Sequence, residues 1–439
     1  MALFGTDGIR GRFGEFLTLE LAERVAFAAA QLIPEHSRVL IGRDTRSSGP
    51  ALEAALSSGF IKGGHEVVLV GVIPTPGLAF LTLEPGVALG VMITASHNPA
   101  ADNGIKIFGD DGMKIPDEME ESIESWVCSS SVIVDSGTGR ISADHEALER
   151  YIAHLKQSIS SSLSGISVVV DCAHGAASTI APRVLRELGA QVHEIATSPD
   201  GTNINKGVGS THLAALQEKV REVQADLGIA HDGDADRALM VDRQGRLIDG
   251  DCILFALASS MSKAGTLDKS SVVTTVMTNL GFHKGMEKLG IRVEVTNVGD
   301  RYVLERMNAG GFALGGEQSG HIILRKLATT GDGILTALLI LELVKASKVD
   351  PDQLAEIFPR YPQLLENVPV REKERALNDA EVIAAVAQAE AILGEHGRIL
   401  VRASGTEELV RVMAEADTME RASQAVESLS ALVRARHGI

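Results

Sequence analysis

Short apolar runs alternate with amphipathic stretches along most of the chain. Val39–Ile41, Val67–Val70, Val87–Ile93, Val168–Val170, Asp226–Ala230, Val272–Val276 and Val293–Val295 are rich in Val, Ile and Leu and predict buried strands. Pro50–Lys62, Ala181–Leu188, Leu213–Val223 and Phe282–Leu289 lie between them and carry helical patterning. Strands covered on both faces read as continuous apolar runs, so the alternation predicts α/β units with mostly parallel sheets. Gly63-Gly64, Leu188-Gly189 and Leu289-Gly290 place glycine where a helix ends and the chain turns back into a sheet.

Breaks in the pattern divide the chain into four. A polar, Ser-rich segment runs from Ser158 to Ser164, Asp249-Gly250-Asp251 opens a helical pattern, and Pro359 and Pro362 mark a linker-like stretch. The expected domains are 1–157, 158–249, 250–361 and 362–439, the first three of similar α/β build and the last a smaller α+β domain.

Polar clusters follow a positional rule. Gly90–Ile93 runs into T-A-S-H-N-P, Leu227–Ala230 into H-D-G-D-A-D-R, Phe312–Leu314 into G-G-E-Q-S-G-H, and Ile399–Val401 into R-A-S-G-T-E. Each cluster leaves the carboxyl end of a predicted strand, where open α/β sheets place their ligands. One cluster in each of four segments predicts a central cleft that all four domains face.

Asp232, Asp234 and Asp236 bring three carboxylates onto one tight loop. Such charges repel unless a cation or bases neutralise them. All-oxygen donors suit a hard ion, Mg²⁺ before Ca²⁺ or Mn²⁺. An EF-hand loop would need Gly at Arg237 and Glu at Arg243, so that reading fails. The alternative is a solvated acidic turn capped by Arg237; the apolar strand just before it favours the metal.

Ser96 is not in a G-x-S-x-G nucleophile elbow, and T-A-S-H-N-P by itself suits a simple turn equally well. Lys106 follows closely and can carry charge or a proton at the same place; His97 can do so too, or be merely hydrogen-bonded. Arg402, Ser404, Gly405, Thr406 and Arg411 combine hydroxyls, a small residue and guanidiniums, a set that suits a dianionic phosphate. Glu317 and Ser319 lie near glycines, close enough to a ligand to meet sugar hydroxyls or to form a structural turn. Arg10, in F-G-T-D-G-I-R-G, either holds phosphate or pairs with Asp7.

Composition narrows the partners. The chain has 439 residues and a net charge of −17, which argues against nucleic acid or an anionic membrane. With 45% hydrophobic but only 3% aromatic residues, its cores must be aliphatic. Cys128, Cys172 and Cys252 are far apart, with no C-x-x-C pair, so buried thiols in a reducing compartment are expected. Asp7 and Arg10 come too early for a secretory signal, and the most apolar run, Ile334–Val344, is interrupted by Glu342. A cytoplasmic protein is the expectation.

Taken together, F-G-T-D-G-I-R-G, T-A-S-H-N-P, D-G-D-A-D-R, G-E-Q-S-G-H and R-A-S-G-T-E occur in the order seen in the α-D-phosphohexomutase superfamily. The resemblance spans Phe4 to Arg411. G-E-Q-S-G-H, N-V-G-D-R-Y-V (Asn297–Val303) and P-D-G-T-N-I-N (Pro199–Asn205) resemble the branch acting on glucosamine phosphates. The resemblance implies that Ser96 carries a phosphoryl group whose oxygen completes a site for one Mg²⁺ with Asp232, Asp234 and Asp236. It implies that Glu317 and Ser319 contact sugar hydroxyls and that Arg402, Ser404, Gly405, Thr406 and Arg411 hold the phosphate that is not being transferred. Arg10, Lys106, His97 and Arg237 would surround the reacting group.

The reaction implied is interconversion of glucosamine 6-phosphate and glucosamine 1-phosphate through a bisphosphorylated sugar, which also acts as activator. Closure of the last domain would exclude water. A homodimer is suggested by the family alone. Glu408 departs from the family pattern, which commonly has proline there, and puts negative charge beside the expected phosphate site. The rival readings are a phosphoglucomutase or phosphomannomutase, a Mg²⁺-dependent sugar phosphatase, and a non-catalytic phosphosugar-binding protein. Binding alone would need neither Ser96 nor three aspartates.

Overall fold

Four sheets organise the chain in the computed structural model, which describes residues 3–5, 7–129, 132–135, 137–347, 349–404 and 407–439. The first contains β1 (Ile9–Arg12), β2 (Arg38–Arg43), β3 (Glu66–Val72), β4 (Val87–Ile93), β5 (Asp102–Gly109) and β6 (Arg140–Ala143), in the order β1-β5-β4-β2-β3-β6. Its β2, β3, β4 and β6 pair in parallel, whereas β5 runs antiparallel to β4 and β1. The second contains β7 (Ser167–Asp171), β8 (Gln191–Ile195), β9 (Leu227–His231), β10 (Ala238–Val241) and β11 (Leu247–Ile248), in the order β11-β10-β9-β7-β8. The third contains β12 (Ser271–Thr275), β13 (Arg292–Thr296), β14 (Leu314–Gly316) and β15 (Ile322–Leu324), in the order β13-β12-β14-β15. The fourth is antiparallel: β16 (Gln363–Pro369), β17 (Gly397–Ala403) and β18 (Leu409–Ala416), with β18 in the middle.

Every run predicted as a strand coincides with one, except that Asp226 and Val276 lie just outside β9 and β12, and each predicted helix is present, as Gly49–Lys62, Ile180–Glu187, Ala214–Val223 and Leu280–Lys288. The turn glycines Gly64, Gly189 and Gly290 take φ of 90°, 99° and 68°, a region open to glycine at little cost. Asp249 caps the helix Gly250–Lys263, its side chain accepting from the Cys252 N–H at 3.1 Å.

Short return strands complete the pattern. The four polar clusters connect β4 to β5, β9 to β10, β14 to β15 and β17 to β18, and each pair is antiparallel. The clusters are therefore tight links between paired strands, anchored at both ends by a ladder, rather than long βα loops.

Two compact units result, one of Met1–Met277 with Ile291–Ile357, the other of Thr278–Gly290 with Phe358–Ile439. In the first, helices Leu19–Ala30 and Gly49–Lys62 bury Ala22, Val25, Leu52 and Leu56 against Val39, Ile41 and Val91 of the first sheet. In the second, Ala422, Val426, Leu429 and Val433 form one face of the helix Met419–His437 and pack on Val410, Val412 and Ala414 of β18. As the composition requires, both cores are mainly aliphatic. Cys172 and Cys252 are buried as expected, but Cys128 is exposed, at the end of the helix Asp117–Cys128, which buries little beyond Ile123. Among the described residues, no helix is long and apolar enough to cross a membrane.

Candidate active site

Ser96 follows β4 at the sheet's carboxyl end and is buried. Its φ of 49° lies in the left-handed region, which a residue with a Cβ adopts only when its surroundings enforce it. The Ser96 hydroxyl donates to Asp232 Oδ2 at 2.5 Å, and His97 Nδ1 lies 3.2 Å from Ser96 Oγ. Gly233, beside Asp232, lets the two loops meet: a Cβ there would stand 2.6 Å from the Ser96 carbonyl oxygen.

Asp232, Asp234 and Asp236 are buried, and each offers a carboxylate oxygen within 4.8 Å of the others. Asp234 Oδ1 and Asp236 Oδ1 are buried and have no hydrogen-bond partner among the described residues. Orphaned acceptors of this kind are costly in a folded interior, and a hard divalent cation would satisfy them. The three carboxylates thus fit a metal ion. Burial, then the charges of Asp236 and Asp234, holds the Asp232 carboxyl well above the ordinary carboxylate range. Burial opposes ionisation of Asp236 as well, but Lys106, His321 and Arg237 together outweigh it and hold the carboxyl well below the range.

Lys106, on β5 opposite Met92 of β4, reaches the acidic loop from the adjacent strand. Its ammonium donates to Asp234 at 2.9 Å and Asp236 at 3.1 Å, and lies 3.2 Å from Asp7. Burial disfavours the charge; the neighbouring Asp234, Asp7 and Asp236 outweigh it and keep the lysine protonated. Arg10 on β1 pairs with Asp7, one of the two roles open to it in the sequence. Arg237 Nε lies 3.8 Å from Asp236 Oδ1. His97 is pushed down to about 4 by burial, then by Arg237 and Arg10, so its imidazole is neutral at pH 7.

Glu317 is buried and accepts the Gly299 N–H at 3.0 Å, which ties the loop after β14 to the N-V-G-D segment. Ser319 Oγ is buried without a partner among the described residues. His321 closes the same loop, with Nδ1 3.7 Å from Asp236 and Nε2 3.9 Å from Asp300. The Gly331 N–H points at His321 Nε2 at 3.1 Å, which sets the ring's proton on Nδ1, toward Asp236.

The second unit carries the other cluster. Arg402 is the last residue but one of β17, directly opposite Arg411 on β18. Like charges facing each other on a ladder repel. Burial and then Arg411 lower the proton affinity of Arg402, and Nε of both arginines is buried without a partner among the described residues. Ser404 is buried, its hydroxyl accepting from the Glu407 N–H at 3.3 Å. Gly405 and Thr406 lie outside the described residues. The Glu408 carboxylate is largely exposed and 3.7 Å from the Lys373 ammonium, which offsets the negative charge of this departure from the family pattern.

The first unit therefore brings together Ser96, His97, Lys106, Arg10, Arg237 and the three aspartates, and the second brings together Arg402, Ser404 and Arg411. Sequence reasoning passed over His321, Arg46, Asn205, Lys114 and Asp300. Lys114 joins Asp7 to Asp300, at 2.5 Å from the latter. Arg46 had a legible signal: β2 runs straight into R-D-T-R, a fifth charged cluster at the carboxyl end of a strand.

Such an arrangement of serine, carboxylates and lysine suits phosphoryl transfer, which needs alignment and charge neutralisation more than covalent assistance. Family models described as phosphoglucomutase/phosphomannomutase alpha/beta/alpha domains I, II and III match residues 1–131, 149–245 and 249–361, and the model of the C-terminal domain matches 365–432. A solved phosphoglucomutase/phosphomannomutase family protein from Burkholderia thailandensis shares the fold, with a TM-score of 0.85 at 24% identity, covering 99% of this chain and 97% of its own. Aspergillus fumigatus N-acetylphosphoglucosamine mutase, solved with GlcNAc-6P and magnesium, has a TM-score of 0.71 at 18% identity, covering 99% and 95%. In sequence, phosphoglucosamine mutase of Corynebacterium glutamicum is 49% identical over 98% of this chain and 99% of its own. That of Symbiobacterium thermophilum is 51% identical over 98% of each. With such identity along nearly its whole length, the chain belongs to the phosphoglucosamine mutase family of the phosphohexomutases, isomerases that move a phosphoryl group within a sugar phosphate.

Proposed function

We propose that the chain interconverts glucosamine 6-phosphate and glucosamine 1-phosphate in the cytoplasm, supplying UDP-N-acetylglucosamine synthesis, with Ser96 as the phosphate carrier. The observation that carries this reading is the Ser96 hydroxyl held 2.5 Å from Asp232 at a buried, partly unsatisfied carboxylate cluster. Asp232, Asp234, Asp236 and the phosphoserine hold one Mg²⁺, which supplies neutralising charge to the phosphoryl group. The A. fumigatus relative, solved with a sugar phosphate and magnesium, supports that choice of ion.

The chain's residues do the rest. Lys106 and Arg10 add positive charge near the phosphoryl oxygens, Arg237 adds more, and neutral His97 accepts a hydrogen bond beside Ser96. The substrate's free hydroxyl attacks phosphorus, the bond from phosphorus to Ser96 Oγ breaks and the hydroxyl's proton passes to Oγ, giving a bisphosphorylated sugar; the reverse transfer from the other end restores the phosphoserine. Glu317 and Ser319 bind sugar hydroxyls while Arg402, Ser404, Gly405, Thr406 and Arg411 hold the phosphate at rest. The domains that do this are 1–157, 158–249, 250–361 and 362–439. The family suggests a homodimer, which a sizing measurement tests.

Sugar choice is tested with one purified sample turned over on glucosamine, glucose and mannose phosphates. Glucosamine phosphate is expected to have the highest kcat/KM; a clear preference for glucose 1-phosphate refutes the assignment. A mutase also retains its phosphoryl group, so steady release of inorganic phosphate without a bisphosphate activator indicates a phosphatase instead.

Arg411→Gln tests the resting-phosphate site. A charge-assisted hydrogen bond contributes about 1.5–3 kcal/mol, so KM is expected to rise about 10- to 150-fold. The same change removes the repulsion with Arg402, so thermal stability should hold or increase. An unchanged KM would place the phosphate elsewhere.

A further inference from the structure

Arg46 is 1% exposed and is the largest fully buried side chain among the described residues. A buried guanidinium is costly unless its donors are used, and here each nitrogen is. Nε donates to Asp44 Oδ2 at 2.9 Å. Nη1 donates to the carbonyls of Pro99 at 2.5 Å and Asp102 at 2.9 Å, and Nη2 to those of Ser96 at 3.0 Å and Asn98 at 2.8 Å. Four of these five bonds end on main-chain carbonyls of one segment, the link after β4 and the first residue of β5.

Asp44 closes a ring around Ser96. Its Oδ2 accepts from the Thr94 hydroxyl at 2.8 Å, and Thr94 Oγ1 accepts from the Ser96 N–H at 3.0 Å. From the second sheet's side, the Asn205 amide donates to the carbonyls of Ser96 at 2.8 Å and Asn98 at 3.0 Å. Both main-chain polar groups of Ser96 are therefore bound, at a residue whose φ of 49° needs such enforcement.

We propose that Arg46, with Asp44 and Asn205, is a positioning residue that locks the main chain of Ser96 in its left-handed conformation and thereby aims the hydroxyl at the carboxylate cluster. The inference rests on the reading of Ser96 as the phosphate carrier. It gives a role to two segments the proposed chemistry does not use: R-D-T-R and P-D-G-T-N-I-N. Lysine cannot replace Arg46, because its single ammonium lacks the planar fork that spans four carbonyls.

The experiment measures turnover per phosphorylated serine. The parent, Arg46→Met, Arg46→Lys and Asn205→Ala are loaded with glucose 1,6-bisphosphate, and phosphate at residue 96 is quantified by intact-protein and peptide mass. Turnover per phosphorylated serine is expected to fall about 100-fold in Arg46→Met and about 10-fold in Asn205→Ala, with KM within about threefold of the parent. Arg46→Lys is expected to stay near the Arg46→Met value. A merely structural role lowers the phosphorylated fraction and leaves turnover per phosphorylated serine unchanged, which overturns the inference; so does a change confined to KM. If Arg46→Met fails to fold, Arg46→Lys and Asn205→Ala decide by the same criterion. An active parent with no phosphate on Ser96 overturns the phosphoserine reading itself, a result distinct from a phosphorylated Ser96 that is indifferent to both variants.

Discussion

Ser96→Ala is expected to abolish mutase activity, by at least about 10⁴-fold in kcat, while leaving the fold intact. Removing the hydroxyl removes the atom that carries the phosphoryl group. The structural consequence is small. The Ser96 main chain keeps its bonds to Thr94, Arg46 and Asn205, and only the contacts of Oγ with Asp232 and His97 are lost. Far-UV circular dichroism and Tm should match the parent, and no phosphate should appear on peptide 94–104 after loading with glucose 1,6-bisphosphate. Substantial residual turnover would sink the phosphoserine role.

Asp234→Asn is expected to have the next largest effect, about a 10³-fold fall in kcat together with loss of the Mg²⁺ response. Asp234 accepts from the Thr75 hydroxyl at 2.6 Å and from Lys106 at 2.9 Å, and its other oxygen has no partner among the described residues. An amide of the same shape preserves the contact with Thr75 but lacks the charge. Without metal, the change relieves repulsion among three close carboxylates but weakens the ion pair with buried Lys106, so each protein's Tm is compared with its own metal-free value. Adding Mg²⁺ should separate the two proteins. An ion bound only by the folded state stabilises it by about 2.7 kcal/mol at one hundred times its dissociation constant. The parent should show that rise in Tm and Asp234→Asn should not. A variant as active and as Mg²⁺-responsive as the parent would rule out the loop as the metal site.

Both predictions concern residues visible in the sequence, yet visible to different degrees. The aspartate loop stands out because three carboxylates alternating on a tight turn need neutralising wherever they fold. Ser96 does not stand out: its hexapeptide is compatible with an ordinary turn, and its candidacy came from the other clusters and from the family resemblance. Arg10 was ambiguous between phosphate and Asp7, and the structure pairs it with Asp7. Arg402 and Arg411, nine positions apart in sequence, become a facing pair only because β17 and β18 are joined in that register.

The residues passed over share one property. Arg46, Asn205 and His321 act on groups distant in sequence: Arg46 on a link some fifty residues away, Asn205 on one more than a hundred away, His321 on the aspartate loop. Their sequence neighbourhoods record what each residue is, not what it will face.

The sequence by itself determined the α/β class, the strands and helices, the aliphatic cores and the polar cluster after a strand in each of four segments. Those features follow from local periodicity and composition, because burial of apolar faces acts on every short stretch alike. The tertiary structure alone decided that each cluster links antiparallel strands, that Ser96 touches Asp232, that Lys106 is drawn into the carboxylates, and that Arg46 and Asn205 grip the serine's main chain. Those contacts depend on register and on loops meeting across sheets, where one hydrogen bond's length separates a working geometry from none.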